Sequence, residues 1–150
     1  MNRDFVEMLS ALSAAGVKFL IVGAHALAAH GAPRATGDLD IWVRPTRDNA
    51  ARVLAALQSF GAPLFDLTVD DLCASDTVFQ IGLPPSRIDI LSGISGVEFD
   101  AAWPRRIEVE IGGMRVGTLG REDFIANKRA AGRPKDLLDI ELLPPVRKPR

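Results

Sequence analysis

The stretch Gly37-Asp38-Leu39-Asp40-Ile41-Trp42-Val43 alternates acidic and apolar residues before the chain reaches Pro45. Successive side chains of a β-strand point to opposite faces, so Asp38 and Asp40 share one face while Leu39, Ile41 and Val43 turn into a core on the other. Two carboxylates placed side by side repel and raise one another's pKa, a cost a fold bears when a cation neutralises them or when water reaches both. A hard divalent cation is the natural partner. The run Arg87-Ile88-Asp89-Ile90-Leu91 repeats the pattern, with an acid between two isoleucines that alternation sends to the opposite face. Asp89 can therefore join Asp38 and Asp40. Magnesium takes oxygen ligands at about 2.0–2.1 Å and keeps positions for phosphate and water. Two such ions, about 3.5–4 Å apart, can clamp the attacking and leaving oxygens of a phosphoryl displacement. Taken singly, each aspartate has a plainer reading: Asp38 as a turn residue, Asp40 and Asp89 as exposed strand positions. Their combination with the segment upstream favours the metal site.

That segment is a short apolar run, Val17 to Val22, broken by Gly23 and followed by the alanine-rich Ala24 to Ala29, which reads as a helix ending at Gly31. Backbone N–H groups at the start of such a helix, around Gly23 and Ala24, suit the anionic end of a triphosphate. Before it, Phe5, Met8, Leu9 and Leu12 recur at helical spacing up to Gly16. After the acidic strand, Thr46 caps a helix that runs to Phe60 and stops at Gly61. Asp66 to Ser75 reads as loop with a short helix. Thr77 to Ile81 and Arg87 to Leu91 read as strands, and Arg106 to Ile111 with Met114 to Thr118 as a hairpin across Gly112 and Gly113. Helices over Glu122 to Ala130 and Pro134 to Leu142 close the chain. The fold class expected is α/β (α+β): a mixed β-sheet flanked by helices, one domain over residues 1–143, and a basic, flexible tail over 144–150.

The 150 residues match one domain, and 47% hydrophobic with 25% charged residues is ordinary globular usage. A formal net charge of -1 gives no global footprint for a nucleic-acid backbone, although the last thirty residues carry eight Lys or Arg against five Asp or Glu. The one cysteine, Cys73, has no internal disulfide partner, and no Cys and His cluster has zinc-ligand spacing, so a reducing compartment fits. Phe19 to Ala29, the longest apolar run, contains His25 and is too short to cross a bilayer, and no secretory-signal pattern opens the chain. A cytoplasmic protein without a membrane partner is expected. Neither a Gly-x-Gly-x-x-Gly fingerprint nor a Gly-x-x-x-x-Gly-Lys-Ser/Thr loop is present, which sets a dinucleotide-binding protein aside.

A strand ending in Gly23-Ala24, thirteen intervening residues, Asp38-Leu39-Asp40-Ile41 and a later Asp89 between hydrophobics resemble the signature of the polymerase beta-type nucleotidyltransferase superfamily. The stretch from Val22 to Ile41, and the ending Lys128-Arg129-Ala130-Ala131-Gly132-Arg133-Pro134-Lys135-Asp136-Leu137-Leu138-Asp139-Ile140, are similar to the AbiEii-like and other minimal nucleotidyltransferases of prokaryotes. The resemblance implies transfer of a nucleoside monophosphate from a triphosphate such as ATP to an acceptor hydroxyl on RNA, protein or a small molecule. By the same resemblance, Asp38 and Asp40 bind two Mg2+ ions and Asp89 completes the one that activates the acceptor. Gly23 lets backbone approach the triphosphate, and Lys128 and Arg34 are phosphate-facing charges. A protein partner or homodimer could complete the acceptor surface, and some relatives are toxins paired with an antitoxin. One departure stands out: many relatives carry serine where this chain has Ala24. The missing hydroxyl supports an alternative, a nucleotide- or partner-binding module that keeps the fold without turnover. Asp136 has a structural reading as a first-turn acid of its helix, and Lys135 and Asp139 share that open choice.

Overall fold

The computed structural model describes residues 1–32 and 37–146. A six-stranded sheet with strand order β3-β4-β2-β1-β6-β5 organises it. The strands are β1 (Phe19–Val22), β2 (Asp38–Val43), β3 (Val78–Ile81), β4 (Arg87–Leu91), β5 (Ile107–Ile111) and β6 (Met114–Thr118). β2 runs parallel to β4 and antiparallel to β1, while β1 runs parallel to β6. The sheet is therefore mixed, as expected.

The helices are α1 (Arg3–Ala14), α2 (Gly23–Ala29), α3 (Arg47–Phe60), α4 (Val69–Cys73), α5 (Phe99–Ala102), α6 (Arg121–Ala131) and α7 (Pro134–Leu142). Their ends follow the local chemistry of the sequence. The Thr46 hydroxyl accepts the Asn49 N–H at the start of α3, and Gly61 stops that helix at φ 92°, a left-handed conformation that suits glycine. Thr68 and Asp71 form a reciprocal cap on α4, which explains how a weakly patterned segment holds a short helix. Helix α5 and the 3-10 turn Trp103–Arg105 were not foreseen from sequence. Helix α5 is a single turn, too short to show periodicity; its Phe99 ring meets Trp42 edge-on at 5.0 Å.

Alternation along β2 gives the sheet two chemically different faces. Leu39, Ile41 and Val43 are fully buried, and with Ile88 and Ile90 of β4 they pack against Met8, Leu9 and Leu12 of α1 and Val53 and Leu57 of α3. On the opposite face, Leu20, Val22 and Trp42 pack with Leu27, Phe99 and Phe124. The acidic residues belong to this second face, where Asp40 of β2, Leu91 at the end of β4 and Gly23 at the start of α2 border a polar cleft. Buried Asn49 ties the layers together by donating to the Lys18 and Arg44 carbonyls and accepting the Lys18 N–H at 2.8 Å. Cys73 lies half-buried at the edge of the first core, a filler role. Among the described residues, no helix is long and apolar enough to cross a membrane.

Candidate active site

Parallel pairing of β2 and β4 places Asp40 opposite Asp89 and Asp38 opposite Arg87. Registered residues of neighbouring parallel strands point the same way, so all four side chains share one face. Asp40 and Asp89 therefore face one another across the strand pair. Burial, then the charge and hydrogen bond of Asp89, then the charge of Asp38 push the Asp40 carboxyl up to about 6, with the Arg87 guanidinium opposing. Asp89 is 7% exposed, and its Oδ1 is buried without a hydrogen bond although Arg87 Nε lies 3.4 Å away. A buried carboxylate oxygen left this way is under-satisfied and suits a cation.

Asp38 behaves differently. Arg87 donates to its Oδ2 at 2.6 Å, and the two side chains are each about one-third exposed. Among the described residues, no three Asp, Glu, His or Cys side chains form a ready metal cage. Strand alternation brings the three aspartates to one face as expected; in this state two of them meet, and the third is drawn aside by an arginine on the same face. Arg87 was not foreseen in this role, yet its position two residues before Asp89 on one strand put it on the acidic face. Asp40 and Asp89 thus fit a hard cation as they stand, and Asp38 fits as a further ligand once turned from Arg87.

Gly23 closes the site from the β1 side. It adopts φ +69°, and a Cβ there would overlap Asp40 Oδ2, so both the backbone conformation and the contact require glycine. Helix α2 has only seven residues, so the anion-favouring dipole expected at its start is short. Ala24 follows Gly23 with a methyl in place of a hydroxyl. Arg34 lies outside the described residues.

Helices α6 and α7 form the far wall of a cleft of about 210 Å³ lined by Gly23, Asp40, Ser95, Asn127, Lys128 and Arg133 among others. Lys128 is held in place: its Nζ lies 3.4 Å from carboxylate oxygens of both Asp136 and Asp139, and 5.5 Å from the Phe124 ring centre. Asp136 is 1% exposed, caps its own helix by accepting the Arg133 N–H, and accepts from the Arg133 guanidinium at 2.7 Å. The Arg133 side chain, with its backbone N–H and Lys128 assisting, holds the Asp136 carboxyl below its ordinary range against the cost of burial. Asp136 and Asp139 thus act as anchors for the two cations; Asp136 stands in the first turn as expected, and the cap it forms is an addition. Lys135 is exposed on α7. Arg133, Asn127 and Ser95 were not foreseen from sequence. Arg133 precedes Pro134 and could have been found as a residue forced out of the helix; Ser95 and Asn127 meet only through folding, with Asn127 donating to the Ser95 carbonyl at 3.0 Å. The two histidines pack: His30 Nε2 meets the Leu119 carbonyl at 2.8 Å, and His25 lies edge-on to Phe5.

No protein-family model and no curated protein sequence matches the chain. Solved structures do match its fold. The antibiotic-resistance factor ANT(2'')-Ia aligns at TM-score 0.60 and 15% identity, over 93% of this chain and 80% of that one. A Thermotoga maritima protein assigned as a nucleotidyltransferase aligns at TM-score 0.58 and 16% identity, over 94% of this chain and 88% of that one. The lincomycin-bound lincosamide antibiotic adenylyltransferase LnuA aligns at TM-score 0.58 and 11% identity, over 95% of this chain and 96% of that one. The chain therefore has the nucleotidyltransferase fold, a mixed sheet flanked by helices, with its acidic strands β2 and β4 side by side on one face.

Proposed function

We propose that this protein transfers a nucleoside monophosphate from a nucleoside triphosphate to an acceptor hydroxyl, with pyrophosphate as the leaving group. The observation that supports it best is the Asp40–Asp89 pair, pressed together with a bare buried oxygen beside a cleft whose opposite wall carries Lys128 and Arg133. A fold shared with nucleotidyltransferases supports reading that cleft as a triphosphate site.

Asp40 and Asp89 would hold Mg2+, with Asp38 joining them after release from Arg87. When bound, the metal would supply charge neutralisation for the phosphate oxygens. The chain's own groups do the rest. Gly23 removes the side chain that would separate the backbone from Asp40 and the phosphates. Lys128 and Arg133 offer positive charge along the cleft, pre-oriented by Asp136 and Asp139, so little side-chain entropy is lost when a phosphate arrives. The acceptor oxygen bonds to the α-phosphorus as the bond to the bridging oxygen breaks, and the hydroxyl proton passes to a carboxylate of the Asp40–Asp89 pair. Two of the matched structures carry names tied to antibiotics, which favours a small-molecule acceptor among those the resemblance allows, in a cytoplasmic setting. An AbiEii-like toxin role beside an antitoxin is the corresponding choice if the acceptor is RNA or protein.

A second reading, a binding module without turnover, has two observations behind it: Ala24 lacks the hydroxyl, and Asp38 is engaged by Arg87. Titration of each nucleoside triphosphate with and without Mg2+, into wild type and an Asp38→Asn/Asp40→Asn double variant, followed by a pyrophosphate-release assay with a cell extract as acceptor source, separates the two. Mg2+-dependent binding lost in the double variant, with pyrophosphate release, supports transfer. Binding without release supports the module. No binding by any triphosphate refutes both.

A further inference from the structure

On the sheet face opposite the aspartates lies a second cleft, of about 270 Å³, between β1, β6, β5 and α2. Ile21 and Thr118, register partners on β1 and β6, form its floor, with Val109 and Ile111 of β5 beside them. His25, Ala28 and Ala29 of α2 form the roof, and exposed Met1 completes the lining. The three α2 residues fall within one narrow sector of the helix, while Ala26 and Leu27 turn to the second core. The side-chain lining is apolar apart from His25 and Thr118, and each carries an orphaned atom. Thr118 is fully buried and its Oγ1 has no hydrogen-bond partner among the described residues; His25 Nε2 is likewise buried and unpartnered among them.

Their chemistry specifies what would satisfy them. The unpartnered nitrogen of His25 is Nε2, while the Asp38 backbone acts on the ring from the β2 side. In the neutral tautomer that carries its proton on Nδ1, Nε2 is an acceptor. The Thr118 hydroxyl can donate as well as accept. A hydroxyl can donate to His25 and accept from Thr118 with one atom. Among the described residues, no Asp, Glu, Lys or Arg side chain lines the cleft, and the amino terminus, whose charge reaches His25, belongs to exposed Met1. An ionic group on the floor therefore meets no charged Asp, Glu, Lys or Arg side chain among the described residues. A cavity of about 150 Å³ already admits benzene, so this one admits a ring with a substituent.

We infer that this cleft is a second ligand site, which takes a small neutral molecule with one hydroxyl on an apolar, ring-sized frame. The hydroxyl bridges His25 and Thr118, and the frame lies against Ile21, Val109 and Ala28. The site is independent of the nucleotide cleft, because the sheet separates the two.

The test uses the full chain with phenol as probe and toluene as its hydroxyl-free counterpart. Binding is followed by the ring nitrogen signals of the two histidines in NMR spectra. Phenol is expected to bind saturably, shift His25 Nε2 and leave His30 unmoved. Thr118→Val, which keeps the shape and removes the hydroxyl, should weaken phenol at least tenfold and leave toluene unchanged. Ala28→Trp, an exposed position on the roof, should block both without unfolding the protein. Equal affinity of Thr118→Val and wild type for phenol overturns the inference, and so does phenol binding that survives Ala28→Trp. If no phenol binds and Thr118→Val only raises the melting temperature, the two atoms are an unsatisfied pair or hold a lone water, and the site is refuted.

Discussion

Replacing Asp40 with asparagine should make the metal-free protein more stable while destroying its metal site. The Asp40 carboxyl ordinarily titrates near 3.8 and is raised to about 6 here, first by burial and then by Asp89 and Asp38. An acid with a raised pKa in the folded state keeps its proton where the unfolded chain has already released it. The fold is then favoured at low pH, and stability drains away as pH rises from about 3.8 through about 6. At about 1.4 kcal/mol per pH unit the interval amounts to at most about 3 kcal/mol, because solvent reaches part of the carboxylate and screens it. Asparagine carries no charge, so the Asp40→Asn variant escapes the penalty. Near pH 4 the two proteins should melt together; at pH 8 the variant should melt higher, by at most about 6–12 °C for a chain of this size. Thermal unfolding in chelator across that pH range measures it. Saturating Mg2+ at pH 8 should raise the wild type and leave the variant unmoved. An Asp40→Asn protein that melts below wild type at pH 8, or a difference that ignores pH, would refute the claim that Asp40 and Asp89 repel in a half-buried site.

Gly23→Ala should lower stability by about 1–2 kcal/mol from the left-handed backbone alone, with more from the overlap at Asp40; triphosphate titration should show binding lost, and wild-type affinity would mean α2 does not abut the site. Lys128→Met removes the cation that Asp136 and Asp139 share and should lower stability in urea unfolding by less than the about 3–5 kcal/mol of a buried acid left wholly uncompensated, because Arg133 still holds Asp136; a neutral result would mean the helix-α7 acids are satisfied without it. Leu39→Asp puts a charge in the fully buried layer between the sheet and helices α1 and α3 and should give aggregated or unfolded protein; a soluble variant with the wild-type melting temperature would contradict the strand facing.

Much of the fold was legible because its signals are local. Strand β2 came from alternation over six residues, α3 from a threonine cap and a glycine stop, and α7 from a proline at its first position. Helix α5, one turn long, gave no period, and α4 is held by a two-residue cap that a hydrophobic pattern does not register. In the site, Asp38, Asp40 and Asp89 were visible through the same alternation, and Gly23 through the break between strand and helix. Arg87 was visible in position but not in effect, since choosing Asp38 over water requires knowing that β2 and β4 are neighbours.

The sequence by itself determined which side chains share a face and where each element stops, because alternation, helical spacing and caps act over a few residues. Only the tertiary structure decided who meets whom across the sheet. Register set Asp40 against Asp89 and Asp38 against Arg87, and the docking of α6 and α7 locked Lys128 between two buried acids instead of leaving it a free surface charge. Long-range pairing depends on the packing of all layers at once, whereas local rules see one strand or helix at a time. For that reason the acids could be named from the chain, while their charges, partners and the bare oxygen of Asp89 emerged only when the strands were laid side by side.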